Sequence, residues 1–161
     1  MKELTMQKID ISGMGTLELE HLVCDFTGTL SVDGHLLPGV GELLHRLAAG
    51  MTIHVVTADT FGRAEVELAG CPCTVTVLHG QGLDVQKEQY VKCLGVEQVV
   101  AIGNGNNDRL MLKAARIGIA VVEEEGCATA ALQSADVLAL NIHDAFNLLL
   151  QPDRLKATLR F

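Results

Sequence analysis

The sequence is poor in aromatic and in basic residues. Its 161 residues include no Trp, one Tyr and four Phe, and twelve Lys and Arg stand against twenty Asp and Glu, which gives a formal net charge of −8. Proteins that bind nucleic acid usually present a basic stripe, often with aromatic platforms on which bases stack. These two shortages argue against a nucleic-acid-binding protein.

Long hydrophobic runs are also missing, although 48% of the residues are hydrophobic and the mean hydropathy is +0.30. No apolar stretch approaches the roughly 18 residues that a membrane span needs. The first five residues, Met-Lys-Glu-Leu-Thr, lack the apolar region of a signal peptide. Five cysteines make an odd count in a chain large enough to need no disulfides. We therefore predict a cytoplasmic protein without a membrane partner.

The length suits one domain with a substantial core. Repeats, low-complexity segments and linkers are absent from the sequence, so we predict a single domain over residues 1–161.

Short apolar runs alternate with segments of helical periodicity. The runs predict a buried strand at 22–24, after a possible hairpin over 5–24, and further strands at 52–56, 74–78, 99–102, 118–122 and 137–140. The periodic segments predict helices at 39–49, 61–70, 83–94, 107–116, 125–134 and 142–151. This alternation predicts an α/β fold, a three-layer, doubly wound and mostly parallel sheet.

Polar residues follow three of the predicted strands. Asp25 follows 22–24, Thr57 ends the strand that begins at residue 52, and Gly-Asn-Gly-Asn-Asn-Asp at 103–108 follows 99–102. In doubly wound folds, ligands bind where the chain leaves the carboxyl ends of the strands. The sequence therefore predicts a site at this edge of the sheet.

Each of these features has more than one interpretation. Asp25 could coordinate a cation, act as a nucleophile or cap a turn, and Thr57 could bind an oxyanion or form a turn. Segment 103–108 could be a phosphate loop that enters a helix. It could also bind a dinucleotide with Glu123 on a ribose, but Asp108 stands where that fingerprint needs a small residue.

Together, the order and spacing of these residues resemble the haloacid dehalogenase superfamily. Its first motif is an apolar strand ending in Asp-x-Asp-Gly-Thr, and segment 22–30 matches it except at Thr27, where P-type ATPases also have Thr. Segment 53–57 matches the second motif, Lys87 the third, and 103–108 with Met-Leu at 111–112 the fourth, except at Asn104. The resemblance covers residues 16–140 and is strongest to small, soluble P-type-ATPase-like members.

The resemblance implies a Mg²⁺-dependent phosphohydrolase acting on a small phosphorylated substrate. Asp25 would be the nucleophile and form an aspartyl-phosphate. The implied metal-site residues are Asp25, Thr27 through its carbonyl, Asn104 and Asp108, the last either as a ligand or as a residue that orients Lys87 or a metal-bound water. The implied phosphate-binding residues are Thr57, Ala58, Lys87 and Asn107.

Two departures from the family pattern modify this expectation. Thr27 stands where phosphatases have an acid/base Asp, which predicts slow turnover or a preference for an acidic leaving group such as an acyl phosphate. Asn104 replaces a metal-binding Asp, which predicts weaker Mg²⁺ binding. Both departures leave open an alternative without catalysis, a regulatory module that binds phosphate or is phosphorylated at Asp25.

The segment between the first motif and the next helix, 31–38, leaves no room for the cap domain that family members usually insert. Relatives without a cap either accept large substrates or close their sites by oligomerising, so we predict a homo-oligomer.

Several other features are interpreted as structural. Cys71 and Cys73 could form half of a metal site or a redox pair, but packing thiols are favoured, and His54 is expected to be a core residue. The acidic run 123–125 is expected to begin a helix. The basic tail 154–161 is expected to be an amphipathic helix end, or a contact with a neighbouring subunit.

Overall fold

Ten strands make up the sheets within residues 7–161. The computed structural model describes residues 7–161. In chain order the strands are β1 (Gln7–Ile11), β2 (Gly15–Leu19), β3 (His21–Cys24), β4 (Ser31–Val32), β5 (His35–Leu36), β6 (Thr52–Thr57), β7 (Thr74–Val77), β8 (Val99–Gly103), β9 (Ile117–Val121) and β10 (Val137–Ala139). Six of them form a parallel sheet in the order β10-β9-β8-β3-β6-β7. The predicted doubly wound α/β fold is confirmed.

Helices cover both faces of this sheet. They are α1 (Val40–Leu47), α2 (Ala64–Glu67), α3 (Leu83–Leu94), α4 (Arg109–Ala114), α5 (Thr129–Ser134), α6 (Ile142–Leu150) and α7 (Pro152–Leu159). Successive side chains of a strand point to opposite faces. Leu22 and Cys24 thus join one core with α1, α6 and α7, while Val23 joins a second core with α3, α4 and α5. Burial on both faces explains why the central strands are continuous apolar runs.

The N-terminal hairpin pairs β1 with β2 over five residues each. Leu17 and Leu19 are buried and Glu18 between them is partly exposed, which is the alternation expected of a half-exposed strand. The turn passes through Gly13, whose positive φ of 86° suits glycine. Residues 5 and 6 of the predicted hairpin lie outside the described part of the chain.

A second, shorter hairpin, β4–β5, occupies the segment where a cap domain would be inserted. Its tip is Asp33-Gly34, and both residues have positive φ, as a type I′ turn requires. The tip packs closely against the loop after β6. A Cβ added to Gly34 would lie only 2.6 Å from the Cβ of Phe61 in that loop. Within residues 7–161, segment 31–36 therefore holds a hairpin and no inserted domain.

Two predicted helices are shorter than expected. Of the predicted helix 61–70, only α2 (Ala64–Glu67) is helical. The carboxylate of Asp59 accepts hydrogen bonds from the amides of Arg63 and Ala64, and these bonds place the start of the helix at Ala64. The predicted helix 125–134 is only α5. Gly126 has a φ of 80°, which is incompatible with a right-handed helix, and it pairs with Glu123 in a turn.

The acidic run at 123–125 therefore does not begin a helix, and its residues have separate roles. The side chain of Glu123 accepts a hydrogen bond from the amide of Ile142 at the start of α6. Glu125 lies at the site described below.

The remaining structural expectations can be compared directly with the fold. His54 is buried and its ring nitrogens lie 3.2 Å from His21 Nδ1 and 2.8 Å from Tyr90 Oη, as expected of a satisfied core residue. Cys71 and Cys73 are free thiols packed against the first core. Over residues 7–161, no three Cys, His, Asp or Glu side chains are grouped as a metal centre.

The C-terminal tail forms α7, which packs on α6 and β1 through the buried Leu155. In the described part of the chain, no helix is long and apolar enough to cross a membrane.

Candidate active site

An open cleft of about 370 Å³ lies at the carboxyl ends of β3, β6, β8 and β9. Its lining is mostly polar and consists of Asp25, Thr27, Thr57, Ala58, Thr60, Asn104, Gly105, Asn106, Asn107 and Glu125. A larger depression of about 590 Å³ lies at the opposite edge of the sheet, beside Arg116 and Glu97, which pair with each other. The smaller cleft is the better candidate, because it contains the buried carboxylate and follows the strand ends.

Asp25 lies at the floor of the cleft, one residue beyond β3. Its amide donates to the carbonyl of Ile102, which extends the pairing of β3 with β8, and its carboxylate accepts a 2.8 Å bond from Lys87 Nζ. Burial and the nearby charge of Asp108 raise the pKa of Asp25 to about 7, although Lys87 opposes the shift. The carboxylate thus lacks compensating positive charge on its cleft side.

Lys87 comes from the middle of α3 and is fully buried between two carboxylates. Its Nζ lies 2.8 Å from Asp25 Oδ1 and 2.7 Å from Asp108 Oδ1. Burial alone would lower the pKa of Lys87, but the two carboxylates reverse this and raise it above its ordinary value. Lys87 is therefore a fixed positive charge behind Asp25.

Asp108 is buried as well and does not line the cleft. One of its oxygens accepts from Lys87, and the other accepts from the backbone amides of Asn104 and Gly105. With both oxygens engaged, the arrangement favours a positioning role for Asp108 over direct contact with a metal ion. Direct ligation by Asp108, the other role expected from the sequence, stays a prediction.

Thr57 ends β6 with its hydroxyl at the cleft. The oxygen accepts a 2.9 Å bond from the amide of Asp59, whose positive φ of 51° completes a tight turn. The hydroxyl hydrogen is still available to an acceptor in the cleft. The turn-forming and oxyanion-binding interpretations of Thr57 are therefore compatible, and Ala58 lines the cleft beside it.

Asn104 follows β8 and lines the cleft with its amide held on two sides. Its Oδ1 accepts from Thr29 Oγ1 at 3.2 Å, and its Nδ2 donates to the carbonyl of Gly126 at 3.1 Å. Gly28 is required beside it, because a Cβ there would collide with the Asn104 amide. The Oδ1 atom keeps a second lone pair for a cation.

Thr27 brings a hydroxyl but no acid to the cleft. Its Oγ1 is buried and has no hydrogen-bond partner among the described residues. Buried polar atoms are normally paired, so an orphaned hydroxyl next to Asp25 indicates a place for a polar ligand.

Asn107 also lines the cleft, from the short 3₁₀ turn Asn106–Asp108. The dinucleotide interpretation of the same loop does not fit the structure. Gly103 is needed for the close approach of Asp108, whose Cγ would lie 2.5 Å from an added Cβ, and Glu123 is engaged with the start of α6.

Four lining residues were not predicted as site residues, namely Thr60, Gly105, Asn106 and Glu125, and Glu125 is the one that carries a charge. It follows β9, and its Oε2 accepts a 3.1 Å bond from the amide of Asp33 at the tip of the β4–β5 hairpin. The signal that could have found it is the strand-end rule, since the acidic run follows an apolar strand just as Asp25 does.

The donors at the floor fit a hard divalent cation. The carboxylate of Asp25, the amide oxygen of Asn104 and the backbone carbonyl of Thr27 all offer oxygen, the ligand atom that Mg²⁺ prefers, and all three residues line the cleft. Only one of these groups carries charge, so a cation bound here would rely on backbone, water and substrate oxygens for its remaining ligands.

Comparisons with known proteins show similarity in sequence and in fold. A sequence profile of haloacid dehalogenase-like hydrolases matches residues 84–135. An uncharacterised protein of Methanocaldococcus jannaschii is 48% identical over 64 residues, which are 40% of this chain and 69% of that protein.

Solved structures share the fold. The 3-deoxy-D-manno-octulosonate 8-phosphate phosphatase of Moraxella catarrhalis, in complex with magnesium ion, phosphate ion and KDO, has a TM-score of 0.68 and 18% identity over 88% of this chain and 94% of that chain. A zinc-transporting PIB-type ATPase has a TM-score of 0.61 and 25% identity over 76% of this chain and 20% of that chain.

The profile match begins at the start of α3 and ends just after α5, so it includes Lys87, Asn104 and Asp108. The first two motifs lie on β3 and β6, next to the matched strand β8 in the same sheet. Over residues 84–135 the chain is similar to haloacid dehalogenase-like hydrolases, and it shares its fold with the solved structures named above.

Proposed function

We propose that the protein is a Mg²⁺-dependent phosphohydrolase that works through an aspartyl-phosphate on Asp25. The observation that carries the proposal is the buried Asp25 carboxylate, held by Lys87 at the floor of a polar cleft with Thr57 and Asn104 at its sides. Positive charge behind a nucleophilic carboxylate and hydroxyl and amide donors around it are what an incoming phosphoryl group requires.

In the proposed reaction, Asp25 attacks phosphorus in line and the bond from phosphorus to the leaving oxygen breaks. The leaving oxygen takes its proton from solvent. Water then attacks the phosphorus of the aspartyl-phosphate, the bond to the Asp25 oxygen breaks, and inorganic phosphate is released. This sequence splits one displacement into two easier ones. Thr57, the Ala58 amide and Asn107 would hold the non-bridging oxygens, while Lys87 offsets the charge of Asp25.

Mg²⁺ would be held by the Asp25 carboxylate, the Thr27 carbonyl and the Asn104 side chain. When bound, it neutralises the repulsion between the carboxylate and the substrate phosphate. Asp108 would hold Lys87 and the backbone of residues 104–105 in position beside this metal site.

The turnover rate that we expect depends on Thr27, which has no carboxyl group for proton transfer. A threonine hydroxyl cannot donate or accept a proton as a carboxyl group does near neutral pH, and such help is worth roughly 10²–10⁴-fold. We therefore infer slow turnover, a long-lived phosphoenzyme and a preference for acidic leaving groups such as acyl phosphates. The proposal of a small phosphorylated substrate is supported by the Moraxella catarrhalis phosphatase, which has the same fold and acts on 3-deoxy-D-manno-octulosonate 8-phosphate.

A second candidate is a regulatory module that is phosphorylated at Asp25 without efficient turnover. The orphaned hydroxyl of Thr27 and the uncharged Asn104 are the observations that favour it, because both lower the expected rate.

One experiment separates the two candidates. Phosphate release from a panel of phosphorylated metabolites and acyl phosphates is measured with and without Mg²⁺, for the natural protein, Asp25→Asn and the control Asp153→Asn, an exposed carboxylate of α7. The phosphohydrolase requires Mg²⁺-dependent release that Asp25→Asn abolishes and Asp153→Asn retains. Labelling of Asp25 by acetyl phosphate without release would establish the regulatory module instead.

We further propose that residues 1–161 act as one catalytic domain in the cytoplasm and that the protein is a homo-oligomer in which a neighbour partly covers the cleft.

A further inference from the structure

The lining of the cleft is negatively charged. Its ionisable side chains are Asp25 at the floor and Glu125 at the rim, and all other lining residues are neutral. Over residues 7–161, no Lys, Arg or His side chain lines the cleft. Any charge on the part of a substrate that extends outward from its phosphate would therefore meet carboxylate rather than cation.

Three cations on elements next to the cleft have acidic partners in the structure. Arg63, on the loop after β6, pairs with Glu67 at 2.7 Å. Arg109, at the start of α4, pairs with Asp84 at 2.8 Å. Lys87 lies behind Asp25 and is fully buried. Ion pairs of this kind leave these groups little freedom to turn toward an anionic substrate.

Glu125 is held in place at the rim. The amide of Asp33 donates to its Oε2, which ties the turn after β9 to the tip of the β4–β5 hairpin. The side chain of Asp33 is itself exposed at that tip.

We propose that Glu125 is a specificity-determining residue that selects phosphomonoesters whose outer part carries an amino group. The inference rests on the proposed function, since it assumes that the substrate phosphate occupies the floor beside Asp25. An ammonium group near the rim would pair with Glu125, and a carboxylate there would be repelled. Thr60 and Asn106, which also line the cleft, offer hydrogen bonds to hydroxyl groups of the same substrate.

The test compares three phosphomonoesters of similar size: phosphoethanolamine (cationic outer group), 2-hydroxyethyl phosphate (neutral) and phosphoglycolate (anionic). With Mg²⁺ present, we expect kcat/KM of the natural protein to decrease in that order. One exposed ion pair is worth up to about fivefold. Glu125 attracts the cationic ester and repels the anionic one, so both effects enter the ratio of their kcat/KM values. We therefore expect Glu125→Gln to lower this ratio by roughly tenfold.

The Gln variant isolates the charge, because its side-chain oxygen can still accept the Asp33 amide. Glu125→Lys should reverse the order of the two charged esters. Glu124→Gln is the matched control: it removes the same charge from an exposed neighbour outside the cleft, and the ratio should stay as in the natural protein. A preference of the natural protein for phosphoglycolate, or an unchanged ratio in Glu125→Gln, would overturn the proposal.

Binding distinguishes failure of this inference from failure of the proposed function. The affinities of the three esters for Asp25→Asn, and for the same variant with Glu125→Gln, are measured by calorimetry whether or not any ester is hydrolysed. A preference for phosphoethanolamine that the second substitution removes supports the role of Glu125 even in a protein that releases no phosphate. Equal affinities, or binding of none of the esters, contradict it.

Discussion

At the scale of single residues, three buried charges determine the electrostatics of the site. Lys87 lies between Asp25 and Asp108, at 2.8 and 2.7 Å, so one positive charge faces two negative ones. Asp108 also receives two backbone amides, whereas Asp25 is at the floor of the cleft. The uncompensated negative charge therefore resides on Asp25. Its raised pKa of about 7 expresses this imbalance, and a divalent cation would correct it.

This imbalance predicts how stability varies with pH in metal-free protein. The pKa of Asp25 is about 7 when folded and near 3.8 when unfolded, so the folded state binds more protons between these values. Stability due to this group therefore falls as pH rises from about 4 to 7. We expect Asp25→Asn to stabilise the protein at pH 8, by on the order of a few kcal/mol, and to lose this advantage at pH 4. Urea unfolding in EDTA measures the difference, and a difference that is constant with pH would contradict the prediction.

Thr27 is predicted to limit turnover. Thr27→Asp introduces a carboxyl group beside Asp25, and we expect phosphate release to accelerate by about 10²-fold or more while the phosphoenzyme becomes shorter-lived. Rapid-quench measurement of the labelled protein gives both quantities. Thr27→Asn is the control, since it has nearly the same shape and cannot exchange a proton. Unchanged release and lifetime in Thr27→Asp would refute this role.

Asn104 is predicted to weaken the metal site. Asn104→Asp adds a charge, so we expect the Mg²⁺ concentration for half-maximal activity to fall several-fold. The substitution also replaces the bond to the Gly126 carbonyl by repulsion, and a group left unsatisfied costs about 1–3 kcal/mol. The variant should therefore melt at a lower temperature in EDTA and recover with Mg²⁺. A higher Mg²⁺ requirement would rule out this explanation.

At the scale of secondary-structure elements, local patterns predicted the central strands and missed the turns around the site. Strands β3, β6 and β8 are buried on both faces, so each appears in the sequence as an apolar run followed by polar residues. The β4–β5 hairpin and the turn at 123–126 depend on contacts between distant residues. The bond that joins them links Asp33 to Glu125, 92 positions apart, and no local periodicity encodes it.

Gly118 and Gly41 differ in the space available for a Cβ, so alanine substitutions at the two positions provide a matched test of the packing. A Cβ on Gly118 of β9 would collide with the Leu112 carbonyl of α4, so we expect Gly118→Ala to cost about 3 kcal/mol. A Cβ on Gly41 of α1 would make ordinary contact with Cys71 at 3.6 Å, and Gly41→Ala should add about 0.5–1 kcal/mol through helix propensity. Urea unfolding of both variants measures these values; similar effects at the two positions would contradict the packing.

At the scale of the whole molecule, a net charge of −8 gives phosphorylated substrates little long-range attraction. Positive charge for a phosphate must therefore be local, from Lys87 and a bound cation. Periodicity predicted the helix that carries Lys87, but only the resemblance to known motifs assigned Lys87 to the site, because its two partners are 62 and 21 residues away.

The open cleft leads to a prediction about assembly. Within residues 7–161, only the small β4–β5 hairpin stands where a cap would be, so we expect a neighbouring subunit to cover the cleft in a homo-oligomer. Light scattering should give a mass that is a multiple of the 17.2 kDa chain, and specific activity should fall when dilution dissociates the assembly. A monomer at high protein concentration, with activity independent of dilution, would exclude this arrangement.

The turn after β9 has a consequence for redesign of the protein. Its Gly126 carbonyl accepts a hydrogen bond from the Asn104 side-chain amide, the Ala128 amide donates to the Asn104 carbonyl, and Glu125, just before these two residues, accepts a bond from the hairpin tip. One short loop thus fixes a proposed metal ligand and carries the proposed selectivity residue. A library intended to change substrate choice should vary position 125 and leave 126 and 128 unchanged, since changes at 126 or 128 would alter metal affinity at the same time and confound every selected clone.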